Sequence, residues 1–240
     1  PIPYEYYKKY HLRKYGFHGT SHKYVSNKMC DIFKKDINKL KIISCHMGNG
    51  SSITAIDKGK AIETSMGLTP LGGIIMGTRS GSIDPSVILH LFDRESLTSS
   101  ELNNILNKKS GMLGISGVSS DDREICEAEK KGNHRAKLSH EMMVYQLVQY
   151  IGAYNAILKG CDCIIFTGGI GENQWMHREK ICEELRFMGV EIDKEINKET
   201  IEGKANKISK DSSKIEIFVI PTNEELAIAR ETLSLINHSM

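Results

Sequence analysis

Short β-branched runs that stop at glycine or proline, separated by segments of helical spacing, constrain this chain more than any other feature. Lys41 to Cys45 reads KIISC, Ile53 to Ile56 reads ITAI, and Asp162 to Thr167 reads DCIIFT before Gly168-Gly169. Ile215 to Ile220, IEIFVI, stops at Pro221. Runs of this length satisfy their backbone only in a shared sheet, and the helical segments between them supply its cover. The alternation therefore predicts an α/β fold with buried strands.

Ala61 to Thr64 follows the turn Asp57-Lys-Gly-Lys, so 41–45, 53–56 and 61–64 predict an antiparallel meander. Parallel strands near 162–167 and 215–220 complete a mixed five-stranded sheet flanked by helices. Pro85 to Phe92 opens after Asp84, which suits an N-cap with proline at the first helical position. Ser100 to Lys108 follows as a helix. Ala136 to Leu158 carries Leu138, Met142, Tyr145, Leu147, Val148, Ile151, Ala153 and Ile157, with Gly160 to close it, and predicts a central buried helix. A helix is expected over 177–188, surface connections over the Lys-rich stretch 193–213, and an amphipathic terminal helix from Glu224. The expected organisation is one domain over 1–223 and a terminal helix over 224–240.

Composition excludes several classes of function. With 240 residues, 40% hydrophobic, 26% charged and a net charge of +2, the chain can bury a substantial core. Its lysines are dispersed, which argues against a nucleic-acid partner. No apolar run approaches the roughly 20 residues that cross a bilayer. The start, Pro1-Ile-Pro-Tyr-Glu, lacks a basic-then-apolar leader, which predicts a cytoplasmic location, and lacks a methionine, which predicts a piece of a longer protein. The six cysteines contain no C-x-x-C pair, so Cys161 and Cys163 are expected to pack as small apolar groups rather than bind zinc.

Three glycine-rich turns carry the chemistry. In His46-Met-Gly48-Asn49-Gly50-Ser-Ser, glycines let the backbone approach a ligand while amides and hydroxyls donate to phosphate oxygens. The same Asn-Gly pair is also the commonest plain hairpin turn. Thr167-Gly-Gly169-Ile170-Gly171-Glu-Asn173 ends a buried strand and opens a helix, where nucleotides bind in open α/β sheets, but it has neither dinucleotide nor P-loop spacing. Met76-Gly-Thr-Arg79-Ser-Gly81 holds an arginine between glycines on a mobile backbone. Its fork pairs with a carboxylate or phosphate; otherwise it is a solvated turn residue.

Taken in order, Tyr15-Gly-Phe17-His18-Gly-Thr-Ser-His22, the 46–52 turn, Gly67-Leu-Thr-Pro70-Leu-Gly-Gly, the 76–81 loop, Gly114-Ile-Ser-Gly-Val-Ser-Ser-Asp121, 166–173 and Pro221-Thr-Asn-Glu224-Glu225 resemble the acetate kinase family across essentially the whole chain. The resemblance implies an RNase H-like fold of the actin and Hsp70 superfamily, phosphoryl transfer between ATP and acetate giving acetyl phosphate and ADP, and a homodimer. It further implies that His18 and Arg79 are catalytic and that Phe17 and Pro70 line the acetate pocket. His46, Gly48, Asn49, Gly50, Asp121, Arg123, Gly169, Ile170, Gly171 and Asn173 would hold the nucleotide. Glu224 would be associated with Mg²⁺ or Mn²⁺, hard ions that prefer oxygen ligands.

Two positions depart from the family pattern: Asp122 stands where a larger apolar residue is frequent, and Ser82 where an acid is common. His22 reads as structural, capping a helix with Ser21, and sequence alone does not separate Glu224 from Glu225. The resemblance also implies an N-terminal domain before Pro1 that supplies further catalytic groups, so the isolated chain is expected to be nearly inactive. Two alternatives stand beside this reading: a butyrate or propionate kinase, and a non-catalytic nucleotide-binding module of the actin and Hsp70 type.

Overall fold

The computed structural model describes residues 1–238, so the last two residues of the expected 224–240 helix lie outside the described residues. The chain opens with helices α1 (Tyr4–Tyr10) and α2 (Gly19–Phe33), then strands β1 (Lys41–His46), β2 (Ser52–Asp57) and β3 (Lys60–Thr64). Helices α3 (Pro85–Arg94), α4 (Ser99–Asn104), α5 (Gly111–Ser116), α6 (Asp122–Lys130) and α7 (His134–Leu158) follow. Strand β4 (Cys163–Thr167) leads through α8 (Gly168–Asn173), α9 (Trp175–Glu184) and α10 (Lys194–Glu199) to β5 (Asn206–Lys207), β6 (Glu216–Val219) and α11 (Glu224–His238).

The residues divide into two compact units. The first comprises Pro1–Phe17, Gly48–Ser52 and Thr64–Leu147, and the second His18–Met47, Ile53–Glu63 and from Val148 onward. The second unit carries the sheet, in the order β3-β2-β1-β4-β6-β5. β1 pairs parallel with β4 and β4 with β6, while β5 runs antiparallel to β6. The sheet is mixed, as expected, but has six strands rather than five. The extra one is the two-residue β5, inside a stretch whose lysines read as surface connection; too short to show a period of two, it is held by Ile208 donating to the Ile217 carbonyl. The 193–213 stretch also forms α10, whose N-cap Asp193 accepts from Glu195 and Ile196.

Strand register decides what α2 meets. With side chains alternating, Ile42, Ser44 and His46 of β1 share one face with Cys163, Ile165 and Thr167 of β4, their register partners. Val25, Met29 and Cys30 of α2 close a buried cluster with Ile42, Ile56, Cys163, Ile165, Phe218 and Ile220. At the opposite end of that face the residues are His46 and Thr167, and the residues of α2 that meet it are Ser21 and His22. A helix at spacing 18, 22, 25, 29 thus covers a face that is apolar at one end and polar at the carboxyl end of the strands, where α/β sheets bind ligands.

In the first unit, Asp84 accepts from the Ser86 amide with Pro85 beside it, and Thr98 and Glu101 form a reciprocal capping box that starts α4. α7, whose residues belong to the first unit up to Leu147 and to the second from Val148, starts two residues before its apolar spacing indicated, and it is amphipathic rather than buried all round. Met143, Leu147, Ile151, Tyr154 and Leu158 are buried, whereas Leu138, Tyr145 and Ile157 lie exposed.

Candidate functional site

In the first unit, Arg79 and Pro70 are brought together: Nη1 of the guanidinium donates to the Pro70 carbonyl at 2.9 Å and contacts Met76 Sδ. The loop beneath them is fixed, not mobile as its glycines suggested. Met112 and Leu113 donate to the carbonyls of Met76 and Gly77, Ser110 to Thr78, and Ser80 to Leu106. Thr78 Oγ1 adds a bond to the Asn107 carbonyl. This close approach requires Gly111, at φ +64°, where a Cβ would lie 2.1 Å from the Met76 oxygen. Ser82 explains itself here: its hydroxyl accepts from the Gly73 amide at 2.9 Å, a reach that suits a short side chain.

The 48–52 turn belongs to the same unit. Ser51 closes it locally, accepting from the Gly48 amide and donating to the Gly48 carbonyl, while the Asn49 carbonyl takes the Gly77 amide at 3.1 Å. The turn that carries Asn49 and the loop that carries Arg79 are therefore joined through backbone. Asp121 caps α6 and grips Arg123 through both carboxylate oxygens, the shortest contact being 2.6 Å. That bonding to Arg123 lowers the Asp121 pKa below the usual carboxylate value.

Asp122, the departure from the family pattern, is buried and lies 3.3 Å from Nε2 of the fully buried His140, whose Nδ1 meets Glu129. Burial opposes the charge on His140, but hydrogen bonds to Asp122, Cys126 and Glu129 outweigh it and raise the pKa to about 10. An acid at this position is a counter-ion for a buried imidazolium, not a packing defect. Residue spacing alone hid the pairing, since His140 sits on the next helix.

In the second unit, His18 stands at the N-cap of α2 with a left-handed backbone, φ +58°, and stacks on His46 at a centroid distance of 4.2 Å. Ser21 Oγ lies 2.8 Å from His46 Nδ1, and Thr222 Oγ1 donates to that same Ser21 oxygen at 2.9 Å. His22 Nδ1 lies 2.9 Å from Ser44 Oγ. His22 is therefore tied to β1, and it makes no side-chain cap for α2. Burial, then the neighbouring rings, lowers the pKa of His22 to about 3 and of His46 to about 4, so both are neutral near pH 7.

The turn after β4 is packed from within. Gly168, at φ +77°, donates to Glu172 Oε1, and Ile170 and Gly171 both donate to the Met47 carbonyl. These amides are occupied by the protein, so the turn offers no ready anion nest from them. Asn173 spends its amide on the Gly169 carbonyl and the Glu202 amide. Gly169 differs: a Cβ added there would meet nothing within 4 Å. Glu224 in the first turn of α11 is half-buried, whereas Glu225 is exposed, which separates the two.

Three residues of this neighbourhood carried no legible signal. Glu172 Oε1 accepts from Gly168, from Thr167 Oγ1 and from the Thr222 amide, binding the β4 turn to the segment before α11. Thr222 links that segment to α2. Arg178, fully buried, donates to the carbonyls of Gly171, Glu172, Asn197 and Thr200 and to the Asn197 side chain. A buried arginine satisfied by carbonyls has no acid partner whose spacing would betray it.

The sequence profile of the acetokinase family matches residues 1–230. The acetate kinase of Halothermothrix orenii is 53% identical over 235 residues, 98% of this chain and 58% of its own length. The crystal structure of the acetate kinase of Porphyromonas gingivalis superposes with a TM-score of 0.95 at 48% identity, over 98% of this chain and 59% of that one. A propionate kinase from Francisella tularensis gives 0.89 at 45%, covering 96% and 58%. The chain thus spans a little under three-fifths of the length of these relatives, and it belongs to the acetokinase family.

Proposed function

We propose that this chain is the nucleotide-handling part of an enzyme that moves a phosphoryl group between ATP and acetate, giving ADP and acetyl phosphate. The observation that carries the reading is the bond from Arg79 to the Pro70 carbonyl in a loop pinned on both sides. A carboxylate acceptor is already deprotonated at neutral pH, so the reaction needs no base to generate its nucleophile. It needs cationic and dipolar groups that offset the charge of two anions brought together. An arginine with its fork preset by a neighbouring carbonyl meets that need on the acyl phosphate and the equatorial oxygens.

In this reading Phe17 and Pro70 contact the acetate methyl, and His18 donates to the phosphoryl group in flight. His46, Gly48, Asn49 and Gly50 serve the phosphates, Asp121 and Arg123 the nucleoside border, and Gly169, Ile170, Gly171 and Asn173 the adenosine. Because the amides of Ile170 and Gly171 are taken, adenosine would lie on the bare surface of Gly169 rather than on an amide nest. The half-buried Glu224 carboxylate fits a hard divalent ion, Mg²⁺ or Mn²⁺. Such an ion, when bound, neutralises charge on the phosphate oxygens.

Trapping the acyl phosphate as a hydroxamate, with ATP and a series from acetate to butyrate, tests this in the complete enzyme. Hydroxamate should form fastest with acetate; ATP binding without any hydroxamate would instead identify a nucleotide-driven module. The likeness to a propionate kinase favours one competitor, which a higher kcat/KM for propionate would establish. The 240 residues alone should turn over at only a small fraction of the complete rate. A cytoplasmic homodimer completes the proposal, checked by fractionation and sedimentation.

A further inference from the structure

In the first unit, Asp122 and Cys126 stand one turn apart on α6 and so share a face, and His140 comes to them from the second turn of α7. All three are buried, His140 fully. His140 Nε2 lies 3.3 Å from Asp122 Oδ1, and Cys126 Sγ lies 3.6 Å from Asp122 Oδ2. The sulfur is also within hydrogen-bonding reach of the ring. We propose that Asp122, Cys126 and His140 form a site for a zinc ion, made from side chains that none of the roles proposed above uses.

Donor types and spacing both favour an ion over a plain charge pair. Thiolate, imidazole and carboxylate are the groups that bind zinc in proteins, whereas Mg²⁺ prefers oxygen alone. Zinc bonds of about 2.0 Å to nitrogen and oxygen and about 2.3 Å to sulfur, at tetrahedral angles, set neighbouring donors about 3.3 Å apart for nitrogen and oxygen and about 3.5 Å for oxygen and sulfur. The separations here are 3.3 and 3.6 Å, with Asp122 turning one oxygen to each neighbour, so the ion would lie against the carboxylate edge. The far ring nitrogen, Nδ1, meets Glu129, the outer carboxylate that orients a ligating histidine and raises its basicity. An imidazolium with an acid at each nitrogen does not call for a sulfur as well; a zinc ion does. Three protein ligands leave the fourth tetrahedral position to a further donor. Binding exchanges protons for the ion: the thiol gives up its proton and Nε2 gives up the one it holds toward Asp122, so two leave as Zn²⁺ enters. With ligands on two helices, the ion clamps α6 to the first half of α7.

The experiment uses the complete enzyme, stripped of metal with a chelator and dialysed, and the probes are Zn²⁺ and Co²⁺ alone. One equivalent of Co²⁺ should produce the charge-transfer absorption of a thiolate-bound ion. Zn²⁺ added to the stripped enzyme should release about two protons per ion and raise Tm. Cys126→Ser should abolish the cobalt band, and His140→Asn and Asp122→Asn should each weaken Zn²⁺ binding at least about a hundredfold. Glu129→Gln leaves the ligands in place, so it should keep the band and weaken binding by about ten- to a hundredfold. No band in the unaltered enzyme, or a band that survives Cys126→Ser, overturns the site. A Tm that Zn²⁺ does not move overturns it too and leaves only the ion pair of His140 with its acids. Should Cys126→Ser fail to fold, Glu129→Gln decides, since Zn²⁺ held as tightly as in the unaltered enzyme would overturn the arrangement.

Discussion

Gly168 packs its α-carbon against the Met47 carbonyl so closely that a Cβ would stand 2.7 Å from the oxygen, with φ already at +77°. Its neighbour Gly169 has open space where a Cβ would go. Alanine at 168 should therefore cost stability, by about 2 kcal/mol or more in urea unfolding, through strain and backbone displacement. Alanine at 169 should unfold like the unaltered chain yet, on the proposed function, bind ADP at least about tenfold more weakly, the methyl occupying the surface proposed for adenosine. Calorimetry of the 169 variant with undiminished affinity would remove that turn from the nucleotide site.

Replacing Arg79 by alanine in the complete enzyme should lower turnover by about two to four orders of magnitude, while nucleotide affinity stays nearly intact. In the role proposed for it, its pairing would strengthen as charge develops on the transferring group. Lysine should recover only part of this, because a point charge lacks the planar fork. Steady-state rates in both directions, with ADP affinity measured separately, check the split. Near-normal turnover in the alanine variant would make Arg79 a loop residue held by Pro70.

Buried histidines should give the chain a stability that falls on both sides of neutrality. His140 has its pKa raised from an ordinary 6.5 to about 10, so its contribution is fully present below 6.5 and is lost as pH climbs toward 10. His22 and His46 have theirs lowered to about 3 and about 4, so their contribution is present above 6.5 and is lost as pH falls toward those values. Urea unfolding from pH 4 to 10.5 checks both limbs. His140→Asn should flatten the alkaline limb only, and an unchanged alkaline slope would rule out the charged pair with Asp122.

Arg178→Met should destabilise the chain by about 3 kcal/mol or more, since it leaves several buried carbonyls without donors. Lysine, with three donors on one atom, should rescue less than half. Because Gly171 and Glu172 are among the carbonyls involved, both variants should also loosen the β4 turn, visible as faster amide exchange at 168–173. Slow exchange there in a destabilised variant would confine the role of Arg178 to α10.

What was legible in the sequence was whatever repeats at a local period. β1, β2, β3, β4 and β6 announced themselves through β-branched runs, and α3 through Asp84 and Pro85. β5 was invisible because two residues have no periodicity, and α2 was missed because its covering face mixes His22 and Ser26 with Val25 and Met29, which blurs the apolar stripe. At the site, glycine turns and the arginine stood out by residue type. The Glu172, Thr222 and Ser21 contacts did not, since each joins positions far apart in sequence through ordinary polar side chains. The family resemblance located the turns without showing that the amides of Ile170 and Gly171 are already spent on Met47.

The single face of β1 that carries Ile42, Ser44 and His46 ties assembly to chemistry. A slip of one residue in this strand would hand α2 the side chains of Ile43 and Cys45 and turn both polar partners to the far side of the sheet. An insertion in the strand could therefore not spoil the histidine pair while sparing the core, nor the reverse. A lineage altering this segment has to keep both or lose both, so variation in these proteins should gather in the α3 region and the exposed loops, where length is free to change without shifting that count.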